Sequence, residues 1–241
     1  SAFTIPCLEN KNKVTITEPY SKTFIKDLSS KKKFHSSLKI NLPKGLKFRK
    51  FSTDLLKEKF DLIVIALSLS GIDFISKEIK KLKLKNPILV LTKGLKYEKK
   101  YNKILTISEQ LKKNYNGMNI SVLKGPCLAK ELARKNQTSV ILANKNIKIA
   151  KQIGKMISTK YYVIEFSNDV IGVEICSAIK NIYAMIIGAG QSLNTSSGLF
   201  QKSIIEMKYL TKYFKGKEET ISGLAGVGDL YVSAAGGRNS K

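Results

Sequence analysis

The stretch Val170–Gly190 (VIGVEICSAIKNIYAMIIGAG) constrains this chain most. On a helical period it is apolar on almost every face, so the helix it makes has to be enclosed. Glu174, Lys180 and Asn181 interrupt it well short of a clean membrane span, which makes protein the enclosing medium. An ammonium buried there without a partner is costly. Lys180 is therefore paired, with a lowered pKa that lets it exchange a proton near neutral pH, or it snorkels to water along the helix. The helix alone leaves both readings open.

Ahead of this helix, short apolar runs alternate with amphipathic ones. Strands are predicted at Val14–Thr17, Leu62–Leu67, Pro87–Leu91, Ile120–Leu123, Ser139–Ala143 and Tyr162–Glu165. Helices are predicted at Tyr20–Leu28, Ile72–Leu84, Tyr101–Tyr115, Pro126–Lys135 and Asn146–Ser158. The alternation specifies an α/β class: a doubly wound, mostly parallel sheet with helices on both faces. Continuous apolar runs are what buried parallel strands look like. Ser167-Asn168-Asp169 is a cluster of helix-capping residues, after which the chain is helical through Val170–Gly190 and Leu199–Phe214. Two domains are expected, over residues 1–166 and 167–241.

Composition narrows the function. With 241 residues, 43% of them hydrophobic, the chain can bury a real core. Residues 1–10 lack the basic-then-apolar pattern of a signal peptide. Cys7, Cys127 and Cys176 are odd in number and share no ligand spacing, so they read as free thiols of a reducing, cytoplasmic compartment, without a zinc site. His35 is the only histidine, which excludes a His-based triad; it follows Lys31–Lys33 and is expected to be exposed. The net charge of +25 would attract any anion, but the lysines are spread along the whole chain, interleaved with Ile and Asn. Aromatic–basic motifs of the RNA-binding kind are not seen, and nucleic-acid binding is the lesser reading.

Ligands of doubly wound sheets bind at the carboxyl ends of the strands, here the loops after Leu67, Leu91 and Leu123. Thr92-Lys93-Gly94 puts a lysine at one strand end. Lys124-Gly125-Pro126-Cys127 leads into a helix N-terminus suited to an anion or a carbonyl oxygen. Either is also an ordinary strand-to-helix turn. Further on, the Gly-rich run Gly223–Gly228 ends in Asp229, and Gly236-Gly237-Arg238-Asn239 sets backbone N–H groups beside a guanidinium, as a phosphate would require. Taken singly, these read equally as a flexible loop and a turn with a surface arginine.

In this order, the segments resemble the NAD(P)-dependent glycerol-3-phosphate dehydrogenases. The resemblance runs through Leu62–Leu67, Leu91-Thr92-Lys93-Gly94 and Gly125-Pro126…Ala129-Lys130-Glu131-Leu132-Ala133. It is strongest in Asp169-Val170-Ile171-Gly172-Val173-Glu174…Ala178-Ile179-Lys180-Asn181, Gly223–Leu230 and Gly236-Gly237-Arg238-Asn239. It implies a Rossmann-like dinucleotide-binding domain, an all-helical substrate domain, NAD or NADP as cofactor, and reversible reduction of dihydroxyacetone phosphate to sn-glycerol 3-phosphate, a glycerophospholipid precursor. It further implies that Lys180 exchanges a proton with the C2 oxygen, that Lys93 is a second active-site lysine beside substrate and cofactor, and that Asp229 holds this network, with Asn181 as a polar partner.

By the same resemblance, Ser233 stands where threonine is common. Gly237, Arg238 and Asn239 match the phosphate site, with Arg238 also near the cofactor. Gly125 and Cys127 match substrate-side positions, and Ala129 a cofactor contact. Glu18, just past the second strand, suits the adenosine ribose hydroxyls, while nearby Lys22 and Lys26 suit a 2′-phosphate. A homodimer is implied, with no nucleic-acid partner and no membrane span. Some features depart from the family. The Gly-rich dinucleotide turn is absent, and the chain stops just beyond Asn239, so an internal fragment of a longer enzyme is expected. Ser68-Leu69-Ser70 replaces a proline-containing turn, and Cys127 replaces a small polar residue. Related β-hydroxyacid dehydrogenases are the alternative, but they space the lysine and asparagine as Lys-x-x-Asn, whereas Lys180 and Asn181 are adjacent.

Overall fold

The computed structural model describes residues 2–18, 34–35, 38–114 and 117–236. The expected helix at Tyr20–Leu28, with Lys22 and Lys26, and the residues Gly237, Arg238 and Asn239 lie outside the described residues. The chain opens with α1 (Thr4–Glu9), β1 (Thr15–Glu18), β2 (Phe34–His35), β3 (Ile40–Asn41) and β4 (Lys47–Lys50). Then come β5 (Ile63–Ile65), α2 (Leu69–Leu82), β6 (Ile88–Val90), β7 (Leu95–Glu98), β8 (Lys103–Thr106) and α3 (Ile107–Asn114). The rest of the α/β part is β9 (Ile120–Lys124), α4 (Ala129–Ala133), β10 (Thr138–Ala143), α5 (Ile147–Ile157) and β11 (Tyr162–Ser167). The chain continues with α6 (Val170–Gly188), α7 (Leu193–Tyr213) and α8 (Asp229–Ala235).

A five-stranded sheet in the order β11-β10-β9-β6-β5 forms the centre. Strands β5, β6 and β9 run parallel, with Ile63 beside Ile88 and Val90 beside Val122. The α/β class with a largely parallel sheet is as expected, with one antiparallel junction, Leu142 beside Leu123, between β10 and β9. A parallel return needs a crossover long enough to span the sheet. The five-residue helix α4 is too short for that, so the chain turns back at the same end of the sheet. The eleven-residue α5 supplies a full crossover, and β11 is parallel to β10. Strand β1 pairs with β4 in a separate two-stranded sheet.

Successive side chains of a strand point to opposite faces, and the core divides accordingly. Ile88, Val90, Ile120 and Val122 pack with Ile72, Ile75 and Ile79 of α2, Leu111 of α3 and the inner face of α6. Leu89, Leu123, Val140 and Leu142 pack on the other side with Leu132, Ile153, Ile157 and Tyr162. Each fully buried aliphatic side chain contributes about 1.5–3 kcal/mol relative to an exposed one.

Three expectations are corrected. The helix read over Tyr101–Tyr115 begins only at Ile107, and residues 103–106 form a strand antiparallel to β7. A capping box marks the true start: the Glu109 carboxylate accepts from the Thr106 N–H at 2.9 Å, and Thr106 Oγ1 accepts from the Glu109 N–H at 3.3 Å. The helix expected from Pro126 starts at Ala129, because Leu128 is extended (φ −78°, ψ 121°). His35, read as exposed, is half-buried, pairs with Ile40, and accepts from the Leu38 N–H at 3.3 Å.

The expected capping cluster orders the start of α6. Asp169 Oδ1 accepts from the Gly172 N–H at 2.9 Å. Its Oδ2 accepts from the Lys217 N–H at 2.9 Å and Thr220 Oγ1 at 2.6 Å, so one carboxylate holds both the helix and the segment after α7. Buried Glu174 accepts from the Ser108 N–H at 3.0 Å and from the Ser108 hydroxyl, joining α6 to the first turn of α3. Among the described helices, α6 alone is long and apolar enough to cross a membrane, but 67% of its apolar window is buried in protein.

Candidate active site

Lys180 points from the middle of α6 at the start of α8. The Gly-rich run before α8 is a wide helical turn (Leu224–Gly228), not a loose loop. Gly226 lies so close to the preceding segment that a Cβ there would fall 2.1 Å from the Ile221 carbonyl oxygen. This turn delivers Asp229, whose side chain is only 2% exposed, to the lysines. Asp229 Oδ1 accepts from Lys180 Nζ, and Oδ2 accepts from Lys93 Nζ at 2.7 Å. Lys180 also donates to Ser233 Oγ at 2.6 Å, and that hydroxyl donates on to the Asp229 carbonyl at 2.8 Å. Of the two readings of Lys180, the paired one holds. Burial first, and the Lys93 charge second, push its pKa below the ordinary lysine value, while Asp229 opposes the shift.

Lys93 comes from the other side, off the carboxyl end of β6, with its side chain 35% exposed against 8% for Lys180. Two ammonium groups on one carboxylate leave a net positive site, one cation accessible and the other desolvated. Such a pair can give a proton to an oxygen and stabilise negative charge developing on it. Beside it, at the carboxyl ends of β6 and β9, lies a cleft of about 240 Å³. Lys93, Gly125, Cys127 and Ala129 line it over an apolar floor that includes Leu91 and Leu123. Gly125 sits at φ +116°, and a Cβ there would come within 3.3 Å of Val140 Cα on β10, so the turn needs glycine. Cys127 is exposed at the cleft; partial desolvation pushes its thiol up in pKa, so it is no activated thiolate.

The structure therefore brings together Lys93, Lys180, Asp229 and Ser233, and sets Gly125, Cys127 and Ala129 along the adjoining cleft. Asn181 is exposed and has no side-chain hydrogen-bond partner among the described residues. Glu18 ends β1, in register with Lys50 in the two-stranded sheet. Sequence reasoning missed Lys124. It was read as a turn residue, yet it ends β9, is 3% exposed, and donates to the Thr92 carbonyl at 2.6 Å and the Val90 carbonyl at 3.2 Å. Burial lowers its pKa to about 8, helped by the Lys93 charge and opposed by Glu174 and Asp229. The available signal was a cation directly after the apolar run Ile120–Leu123.

The family model described as NAD-dependent glycerol-3-phosphate dehydrogenase N-terminus matches residues 1–150, and the corresponding C-terminus model matches residues 169–241. The chain belongs to the NAD-dependent glycerol-3-phosphate dehydrogenase family. These are oxidoreductases. The chain is 27% identical to an NADP(+)-dependent glycerol-3-phosphate dehydrogenase of Archaeoglobus fulgidus, over 99% of this chain and 74% of the relative. It is 34% identical to a glycerol-3-phosphate dehydrogenase [NAD(P)+] of a Thermotoga species, over 73% of this chain and 53% of the relative. It therefore spans about three quarters of one relative and about half of the other. Among solved structures, the glycerol-3-phosphate dehydrogenase of Coxiella burnetii superposes with a TM-score of 0.87 at 25% identity, covering 99% of this chain and 73% of that one. The lysine–aspartate–lysine cluster and its cleft thus sit on a family fold.

Proposed function

We propose that this chain carries the catalytic cluster of an enzyme that reversibly reduces dihydroxyacetone phosphate to sn-glycerol 3-phosphate with NAD or NADP. One observation carries the reading: a single buried carboxylate, Asp229, is shared by a desolvated lysine and an accessible one. The cleft beside Lys93 lies where doubly wound folds take nucleotides, and its apolar floor suits a nicotinamide ring, so the residues present fit that cofactor. The cofactor supplies the hydride when bound. Lys180 gives its proton to the C2 oxygen in the reduction and takes it back in the oxidation. Ser233 and Asp229 aim its ammonium, and Lys93 stabilises the oxygen as negative charge develops.

The further assignments belong to the same proposal. Residues 1–166 bind the dinucleotide and residues 167–241 the substrate. Ala129, Arg238 and Glu18 join Lys93 on the cofactor. Gly125, Cys127, Asn181, Gly237, Arg238 and Asn239 contact substrate, the last three at its phosphate. The product serves glycerophospholipid synthesis. The enzyme works as a cytoplasmic homodimer; the free cysteines support a reducing compartment, and the exposed Ile182, Met185, Ile186 and Leu193 offer an apolar contact surface. The test is reduction of dihydroxyacetone phosphate by the full-length enzyme, with NADH and NADPH in parallel. Turnover with one or both is expected; turnover with neither, under conditions where the protein is folded, refutes the reading.

A further inference from the structure

Lys124 is an unusual residue to find at its position. The rest of β9, from Ile120 to Leu123, is buried, and an apolar side chain would continue that pattern at no electrostatic cost. Instead an ammonium reaches sideways to the neighbouring strand and spends its donors on the backbone carbonyls of Val90 and Thr92. Among the described residues it has no carboxylate partner. Glu174 is bonded by Ser108, and Asp229 by the other two lysines. The Thr92 carbonyl belongs to the peptide unit that leads into Lys93. Thr92 is itself anchored the other way, its hydroxyl donating to the Leu67 carbonyl at 2.8 Å in the loop after β5. Side-chain-to-backbone bonds thus tie together the carboxyl ends of β9, β6 and β5, and the residue that directly follows Thr92, Lys93, reaches Asp229 with its side chain.

We propose that Lys124 is a positioning residue: by gripping the Thr92 carbonyl it fixes the backbone that presents Lys93 to Asp229 and to the reacting oxygen. The ammonium suits this task. It offers several donors on a long stem, so it can hold two carbonyls from the adjacent strand, and buried hydrogen bonds from a charged donor are the strong kind. The inference rests on the dehydrogenase reading above.

A double-mutant cycle in the full-length enzyme tests it, with Lys124→Met, Lys93→Met and the pair, each confirmed folded by thermal melting. Lys124→Met is expected to lower kcat about tenfold with the cofactor KM within about twofold. In the Lys93→Met background, the same change is expected to cost less than about twofold, because the side chain it positions is gone. A lysine that merely stabilised the fold would not give that coupling. If Lys124→Met fails to fold, Lys124→Gln carries the same cycle; its amide keeps a donor for one carbonyl, and a smaller loss, again coupled to Lys93, is expected. Losses that multiply independently, or an unchanged kcat in the Lys124 single variant, overturn the proposal. Wild-type enzyme without turnover overturns the dehydrogenase reading first, and this inference with it.

Discussion

The two walls of the site hold positive charge in different ways. On the helical wall, Lys180 is matched by a carboxylate and a hydroxyl, side chain to side chain, deep in the protein. On the sheet wall, Lys124 has carbonyl dipoles and no carboxylate as partners among the described residues, and Lys93 stands partly in solvent and donates across to Asp229. Charge matched by charge keeps Lys180 poised despite burial. Charge matched by dipoles leaves Lys124 with most of its desolvation cost, which is why its pKa falls to about 8. One wall is thus arranged for proton exchange and the other for placement.

Asp229→Asn strikes both walls at once and is expected to have the largest effect. Removing one partner of a buried ion pair costs about 3–5 kcal/mol, and here two ammonium groups lose their partner. Chemical denaturation of the full-length protein would show it, with turnover falling at least as steeply; an unchanged midpoint would mean that the carboxylate is dispensable to the fold. Lys180→Met is confined to the helical wall and should lower kcat by about 10²–10⁴-fold with NADH binding nearly unchanged. Stopped-flow turnover beside NADH fluorescence titration separates the two effects, and a variant that keeps most of its kcat would remove Lys180 from the chemistry.

On the sheet wall, stability depends on pH through Lys124. Lys124 has a folded pKa of about 8 against 10.5 for the ordinary side chain, so between those values the unfolded chain binds more protons. The cost of keeping this lysine charged in the fold is therefore present in full below pH 8 and is relieved as pH rises towards 10.5. Relative to Lys124→Met, the wild-type protein should gain up to about 3 kcal/mol over that window. Parallel pH titrations of unfolding free energy would reveal a constant difference if Lys124 keeps an ordinary pKa. The smallest effect is expected of Ser233→Ala, which takes one hydroxyl from Lys180 and should cost about 1 kcal/mol, read as a severalfold drop in kcat. A loss as large as that of Lys180→Met would make Ser233 a partner in the proton transfer.

Much of this architecture is legible in the sequence where one physical signal dominates. The apolar run Pro87–Leu91 has the length of a buried strand, and Ile88–Val90 within it forms one. Asn146 caps α5 by accepting from the Lys148 N–H at 3.0 Å, as its residue type suggests. The enclosed helix at Val170 follows from its composition. The sequence misleads where two periods overlap. Ile104, Leu105, Ile107 and Leu111 fit a helical stripe, and the strand in the first part of that window is betrayed only by the capping box of Thr106 and Glu109. The antiparallel turn of β10 hides in the shortness of α4, a matter of length and not of pattern. Lys93, Lys180 and Asp229 were brought together by family resemblance, since residues so far apart share no spacing. Lys124 was missed because its partners are carbonyl groups, which every residue has.

The antiparallel junction between β9 and β10 also bears on the order in which the molecule assembles. Strands β9, β10 and β11 follow one another directly along the chain, so their pairing closes loops of moderate length. Thr138–Ser167 in particular forms a self-contained crossover whose helix and strands touch one another locally. The capture of Asp229 by Lys180 and Lys93 joins segments 49 and 136 residues apart along the chain. Low contact order favours early formation, so the half of the sheet that departs from the parallel pattern is the half suited to nucleate folding, and the catalytic cluster closes late.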